Sequence, residues 1–195
     1  MPHTRPIFTP PVVLRWGFVL VGITAVSLIL IIASGQLDPQ PIGTATASLT
    51  PGVQPIPTQS KTVQWLALPD PGHVFTVRGT AVFTETADIR GGLRLGTSTQ
   101  AFDVLISPSG YAAIRAGAAE LFPYQPWPHV RADENEIWVD VQEQVITVRV
   151  NREWLWSGTV TFPLSQIGLV AESFITMPTS IDWQTVTLYQ PTAQN

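Results

Sequence analysis

Hydrophobic and polar residues alternate along most of this chain from about residue 63 onward. In Val74–Phe83, alternate apolar side chains fall on one face. In residues 135–141, Ile137 and Val139 face one way while Glu136, Trp138 and Asp140 face the other. A period of two is typical of a strand half buried in an antiparallel sheet. The segments with this pattern are Val63–Leu68, Val74–Phe83, Gly92–Leu95, Phe102–Ile106, Tyr111–Arg115, Glu136–Val141, Val145–Val150, Trp154–Thr159, Ile167–Ala171 and Thr185–Tyr189.

The number of these segments predicts the fold class. Roughly ten short strands separated by turn residues are typical of a β-sandwich or barrel. Beyond residue 63, no stretch has the pattern of an amphipathic helix, although residues 117–122 could form one helical turn. We therefore predict an all-β, two-sheet antiparallel domain over residues 63–190.

One long apolar run, Trp16–Ser34, lies near the start of the chain and contains no charged residue. At about 1.5 Å per residue, a helix of this length approaches the roughly 30 Å hydrocarbon core of a bilayer. We predict a transmembrane helix over residues 16–34, preceded by a short tail, residues 1–15.

The distribution of basic residues predicts the orientation of that helix. Arg5 and Arg15 precede the run, and the next basic residue is Lys61. The positive-inside rule then places the N-terminus in the cytoplasm and the C-terminal domain outside, at the cell membrane. An uncleaved signal anchor is favoured because the run is longer than the core of a signal peptide. Cleavage remains the alternative, since Ala33-Ser34-Gly35 are small residues.

Residues 35–62 separate the apolar run from the strands and are rich in Pro, Thr, Ser and Gln. A segment with few large apolar side chains cannot bury enough surface to offset the entropy of ordering. We predict a disordered linker that holds the domain away from the membrane.

Composition excludes several functions. The chain has no Cys, so disulfides, thiol catalysis and Cys-based metal sites are absent. All 14 carboxylates follow residue 35, against eight of the ten basic residues, which leaves that part with a net charge of −6. A field of this sign disfavours nucleic acid as a partner.

Several motifs resemble those of concanavalin A-like lectin and glucanase domains. Asn135 opens an alternating strand, a tight turn and a second strand that ends at Asn151-Arg152. Gly168-Leu169-Val170-Ala171 resembles the later Gly-Leu-x-Ala strand of that family, and residues 181–186 resemble its closing Phe-Asp-Asn-x-x-Val segment. Arg152 departs from the pattern, since the family has Gly there, and so does Trp183, where Asn is usual. The resemblance implies a jelly roll of two sheets that binds sugars, hydrolyses them or has a structural role.

The carboxylates do not fit the catalytic pattern of the hydrolases on this fold. A glycosidase needs two carboxylates about 5–10 Å apart. Laminarinase-type enzymes carry Glu-x-Asp-x-x-Glu, whereas Glu134 is followed by Glu136 and then by Val139. We therefore predict no catalytic residue and interpret these acids as a solvated sheet face.

Metal ligands are equally sparse. A calcium site needs several oxygen ligands that converge from loops. Asp70, Asp88, Asp133 and Asp182 are candidates, but no Asp-x-Asp spacing occurs. We expect no cofactor, and a structural calcium ion is the single alternative left open.

Aromatic residues are the remaining candidates for a binding site. Trp127 lies in a proline-rich segment with Tyr124, and alternation turns Trp138 away from the predicted core. Aromatic rings stack on sugar rings and anchor interfaces. We predict Trp127, Trp138 and Tyr124 as ligand-binding residues. Trp154 and Trp156, two residues apart, are expected to share a face.

Together these features predict a membrane-anchored, extracytoplasmic, non-catalytic module that binds carbohydrate at the cell envelope. Two alternatives remain open. The domain could be a glycoside hydrolase-like enzyme of the same fold, or a structural subunit that docks on another membrane or envelope protein.

Overall fold

The computed structural model describes residues 11–33, 38–84 and 88–192, and the predicted tail lies mostly outside them. Helix α1 spans Pro11–Ala33, with side chains described for residues 17–30. Among the described residues, no helix is both long enough and apolar enough to cross a membrane. The chain divides into two units, Met1–Pro39 and Gln40–Asn195.

Every helix or strand element described in the second unit is a strand. They are β1 (Thr44–Leu49), β2 (Gly52–Ile56), β3 (Lys61–Trp65), β4 (Val74–Phe83), β5 (Ile89–Gly96), β6 (Ala101–Ser107), β7 (Tyr111–Ala116), β8 (Ala119–Pro126), β9 (Glu134–Gln142), β10 (Val145–Val150), β11 (Glu153–Thr159), β12 (Gln166–Ser173) and β13 (Thr179–Gln190).

These strands form two sheets in which every pairing is antiparallel. Sheet A has the order β1-β13-β4-β9-β10-β11, with β2 also paired to β13. Sheet B has the order β3-β12-β5-β6-β7-β8. The prediction of an all-β, two-sheet antiparallel sandwich is confirmed.

The core lies between the inward faces of the two sheets. In β4, Phe75, Val77, Ala81 and Phe83 are buried, as the alternation predicted. Trp183 of β13 is the largest fully buried side chain. Because the inward positions of β4 are apolar, burial of these side chains fixes the register of this strand.

The structure differs from the prediction of a disordered linker over residues 35–62. Strands β1 and β2 lie within that segment, and both pair with β13. The burial of Gln54 and Ile56 explains why β2 is ordered. The Gln54 side chain accepts a hydrogen bond from Trp183 Nε1 (3.1 Å) and donates one to Thr62 Oγ1 of β3 (3.3 Å). Although this segment has a polar composition, it contains two strands. They are stabilised by their pairing with β13 and by the buried side chain of Ile56.

Two local predictions are wrong. Residues 117–122 form no helical turn, because β8 begins at Ala119 and pairs with β7. Trp154 and Trp156 do not share a face, because the register of β10 and β11 shifts between their partners. A bulge of this kind reverses the alternation. Trp156 packs against the core, whereas Trp154 is exposed.

The two asparagines of the family-like motif hold the β9–β10 hairpin to the preceding loop. Asn151 Nδ2 donates hydrogen bonds to Asn135 Oδ1 (2.9 Å) and to the carbonyl of His129. Asn135, which is fully buried, binds both backbone groups of Arg131. At the next turn, Arg152 has a φ of 73°, in the left-handed region where glycine is the usual residue. The departure from the family motif thus places an arginine in a glycine conformation.

Candidate functional site

Charged residues form a network of ion pairs on one surface, which we call the outer face of sheet B. It is the side of that sheet turned away from the core. Arg90 and Arg94 of β5 lie four residues apart on this face, opposite Glu172 of β12 and Asp103 of β6, respectively. Two further cations lie on this face. Lys61 of β3 is opposite Glu172 in the strand register, and Arg115 of β7 is opposite Asp103.

The carboxylate of Glu172, although almost buried, contacts three cations. Arg115 Nη1 donates hydrogen bonds to both of its oxygens, at 2.8 and 3.2 Å. Lys61 Nζ lies 3.2 Å from Oε1, and Arg90 Nη1 lies 3.7 Å from Oε2. A buried charge costs free energy unless it is paired. These three contacts therefore explain how the Glu172 carboxylate can be almost fully buried in this face.

Asp103 forms the second centre of the network. Its Oδ2 accepts hydrogen bonds from Lys61 Nζ at 3.0 Å and from Arg94 Nη1 at 3.3 Å. Its Oδ1 is buried with no hydrogen-bond partner among the described residues. One acceptor position of this carboxylate is therefore unused.

The ion pairs span the middle of this face. Lys61 and Asp103 lie on strands three positions apart, and so do Arg115 and Glu172. Strands spaced about 4.8 Å apart separate the backbones of such residues by roughly 14 Å across the sheet, and each pair is also offset by four residues along the strands. Side chains reach across this span because they lean toward the middle of the face, where Gly92 has no side chain. Charged side chains of five strands, β3, β12, β5, β6 and β7, therefore meet in one area of this face.

Aromatic rings hold Arg90 in place. Its guanidinium carbon lies 3.8 Å from the ring centroid of Tyr124 and 4.5 Å from that of Phe174. Tyr124 stacks on Tyr111 with centroids 4.9 Å apart. Leu105, Ala113 and Val170 form a small apolar cluster beneath Tyr124. The face thus combines fixed charges with flat apolar surfaces.

A cavity of about 560 Å³ opens at one end of this face. This volume lies within the range of small-molecule sites, about 300–1,000 Å³. The residues that line it are Gln59, Ser60, Lys61, Arg90, Arg115, Glu172, Ser173 and Phe174.

The structure does not bring the three predicted binding residues together. Tyr124 lies on the outer face of sheet B, beside Arg90. Trp127 packs against the main core, next to Phe122. Its Nε1 is buried without a hydrogen-bond partner among the described residues.

Trp138 is on the outer side of sheet A, as the alternation predicted, but it does not face solvent. It is 2% exposed. Arg78 lies over its ring at 5.3 Å from the centroid, and its Nε1 donates a hydrogen bond to Asp140 Oδ1 (2.9 Å). Burial here comes from neighbouring polar side chains that cover the ring. The expectation of an exposed Trp138 is therefore wrong.

Asp140 is the acid beneath this cover. Burial raises the pKa of Asp140 above its ordinary value. Hydrogen bonds donated by Thr76 (2.6 Å) and Trp138, together with the positive charge of Arg149, act in the opposite direction and offset only part of this effect. Asp140 is thus a buried carboxyl group held by structural contacts on the sheet A side.

Among the described residues, no group of three or more histidine or acidic side chains could hold a metal ion. The calcium alternative stays a prediction that the structure does not test.

Sequence reasoning missed the charged members of the outer face of sheet B. A signal was present, since Arg90, Gly92 and Arg94 alternate with apolar residues within one strand. Asp103 likewise interrupts an otherwise apolar strand. What sequence could not show is that strands far apart in the chain place these charges side by side.

Comparison with known proteins shows the fold. No protein-family model matches the chain, and no curated protein sequence matches it. The structure is similar to the carbohydrate-binding module CBM66 from Bacillus subtilis, with a TM-score of 0.57 and 10% identity over 76% of this chain and 98% of that one. A fructosyltransferase from A. japonicus matches with a TM-score of 0.53 and 12% identity, over 74% of this chain and 26% of the enzyme.

A β-fructofuranosidase from Aspergillus kawachii, complexed with glycerol, has a TM-score of 0.53 and 12% identity. This match covers 73% of this chain and 27% of that one. This chain therefore spans about a quarter of the length of the two enzymes. The domain has the concanavalin A-like jelly-roll fold, as the sequence motifs implied, and at these identities the likeness shows the fold alone.

Proposed function

We propose that this protein is a non-catalytic carbohydrate-binding module, displayed outside the cell on an N-terminal membrane anchor. One observation carries the proposal. The outer face of sheet B combines a cavity with convergent charged groups and aromatic rings that are already fixed by mutual contacts.

The chemistry of this face suits a sugar. Adjacent hydroxyls of a sugar ring can accept hydrogen bonds from a guanidinium and donate them to a carboxylate. Arg90, Arg115 and Glu172 line the cavity and offer both kinds of partner. The exposed ring of Phe174 provides a surface for the apolar side of the sugar. Because ion pairs and stacking already hold these side chains, little entropy is lost on binding.

The likeness to CBM66 supports the proposal at the level of fold. CBM66 is named a carbohydrate-binding module, and this chain covers 98% of it. The domain therefore matches a complete module rather than a part of one.

Membrane anchoring rests on the sequence of residues 16–34. The run carries no charge, and two arginines precede it. Fractionation of cells that produce the full chain would test this proposal. We expect the protein in the membrane fraction with its N-terminal residues retained by intact mass, and a mass that begins near Gln36 would contradict anchoring.

A glycan array probed with the full chain, followed by calorimetry with the glycans that bind, tests the binding function. Replacing Tyr124 with alanine should weaken binding about five- to tenfold, because the ring orders Arg90. Tyr189, a partly buried tyrosine of sheet A, provides the matched control variant Tyr189→Ala. Equal losses in the two variants, or no binding to any glycan, would contradict the proposal.

A glycoside hydrolase is the second candidate, because two carboxylates lie close together. Asp103 Oδ2 and Glu172 Oε1 are 3.0 and 3.2 Å from the same Lys61 Nζ, so they are no more than about 6 Å apart. This upper limit is compatible with the separation of about 5–5.5 Å in retaining glycosidases. However, the charged groups that contact Asp103 and Glu172 are cations. Cations pair with ionised carboxylates, whereas a glycosidase also needs one protonated carboxylic acid. Release of reducing sugar from a bound glycan, abolished by Asp103→Asn, would favour the enzyme.

A further inference from the structure

The cavity on the outer face of sheet B has an excess of positive charge. Its lining includes Lys61, Arg90 and Arg115 but only one carboxylate, Glu172. The wider network adds Arg94 and Asp103, and the exposed Glu120 lies 3.9 Å from Arg115 Nε, so four cations face two buried acids and one exposed acid. The chain as a whole has a net charge of −4, so this local excess opposes the overall charge.

The contacts of Glu172 also indicate an excess of positive charge at this cavity. Glu172 has only two oxygens, and three cations share them. Arg90 is the most weakly paired of the three, at 3.7 Å, and its Nε is buried with no hydrogen-bond partner among the described residues. Ser173 Oγ, which also lines the cavity, is buried and unpartnered in the same sense. Arg90 and Ser173 therefore each offer a donor group at this cavity that no described acceptor satisfies.

We infer that the ligand is an acidic glycan, one whose sugar carries a carboxylate. A carboxylate supplies two acceptor oxygens and a negative charge in the planar geometry that a guanidinium pairs with. It would balance the charge that Glu172 leaves unpaired, while the sugar ring lies against Phe174. This inference rests on the proposed function and adds the ligand class to it.

The test compares uronic acid oligomers with their methyl esters, which have the same sugars without the charge. We would titrate trigalacturonate, trimannuronate and both methyl esters into the full chain by calorimetry, alongside the neutral glycans of the array. At least one acid should bind about tenfold or more tightly than its ester, the scale of one ionic hydrogen bond. Since screening weakens charge pairing, the advantage should shrink when salt is raised from about 0.05 M to 0.5 M.

Two variants locate the effect. Arg90→Gln and Lys61→Gln should each reduce the preference for the acid over its ester. The Lys61 side chain is 41% exposed and lies on an edge strand, so Lys61→Gln should fold. This variant therefore still tests the inference if Arg90→Gln fails to fold. Arg131→Gln removes an exposed arginine from the β8–β9 connection and should leave the preference unchanged.

The outcomes separate the two claims. Equal affinity for acid and ester, or binding of neutral glycans only, would overturn the inference and leave the carbohydrate-binding proposal standing. A preference unchanged in both cavity variants would also overturn it. If no glycan of any kind binds, both the inference and the proposed function fail.

Discussion

Removing β1 and β2 should destabilise the sandwich severely, although the sequence of that segment looks like a linker. The comparison is between two fragments, residues 38–192 and residues 60–192. Both contain every strand that the sequence predicted, and only the longer one contains β1 and β2.

The magnitude follows from what β2 contributes. Ile56 is 1% exposed in the main core, and loss of such a side chain costs about 2–5 kcal/mol. The hydrogen bond from Trp183 to Gln54 adds about 1 kcal/mol. Backbone pairing of β13 with both strands is lost as well. A loss of several kcal/mol is a large fraction of the roughly 5–15 kcal/mol by which domains are stable.

Urea denaturation followed by tryptophan fluorescence measures the effect. We expect cooperative unfolding for residues 38–192 and a much lower midpoint, or no transition, for residues 60–192. Within the longer fragment, Ile56→Ala should cost about 2–5 kcal/mol. Val53→Ala, at a 63% exposed position of the same strand, should change stability by less than about 0.5 kcal/mol. Identical midpoints for the two fragments would refute the reasoning.

Three further substitutions test the sheet A side. Trp138→Ala should lower the free energy of unfolding, measured in urea, by about 3–5 kcal/mol. It should not weaken glycan binding, because the ring is buried on sheet A. A loss of binding with unchanged stability would contradict this prediction. Asp140 holds its proton to higher pH when folded than its ordinary value of 3.8, so its contribution to stability falls as pH rises above about 4. The stability of Asp140→Asn relative to the natural chain should therefore increase from pH 4 to pH 7, and a decrease would reverse the sign argued here. Arg152→Gly should stabilise the protein by about 1 kcal/mol by relieving the positive φ, and a lower melting temperature would show that the arginine contacts outweigh that strain.

Much of the sandwich could be predicted from alternation alone. The alternation predicts Val74–Phe83 with the same bounds that this strand has in the structure. Its apolar side chains lie on one face, so only one register of the strand buries them. The asparagines of the β9–β10 hairpin also point to the correct fold, since their side chains bind backbone groups of neighbouring segments that this fold brings together.

The remaining elements depend on contacts that a local pattern does not contain. Strand β2 has only two buried side chains, Gln54 and Ile56, and one of them is polar. The face of Trp156 depends on a bulge. Trp138 was assigned to the correct side of its strand, but its exposure is set by Arg78, which comes from another strand.

The candidate site was the least predictable part. The aromatic neighbourhood of Tyr124 indicates a binding residue, whereas nothing in the local sequence marks Arg90, Arg115 and Glu172 as members of a site. Each looks like an ordinary surface charge in its own segment, and the network arises only when β12, β5, β6 and β7 become neighbours. Ion pairs between residues 57 positions apart in sequence have no local signature.

The most direct test of the central claim is a crystal structure of residues 38–192 in complex with the tightest-binding glycan from the array. The account predicts a sugar on the outer face of sheet B, within hydrogen-bond distance of Arg90, Arg115 or Glu172 and against the ring of Phe174. A sugar bound on the outer side of sheet A, or in the loops that join the sheets, would contradict it.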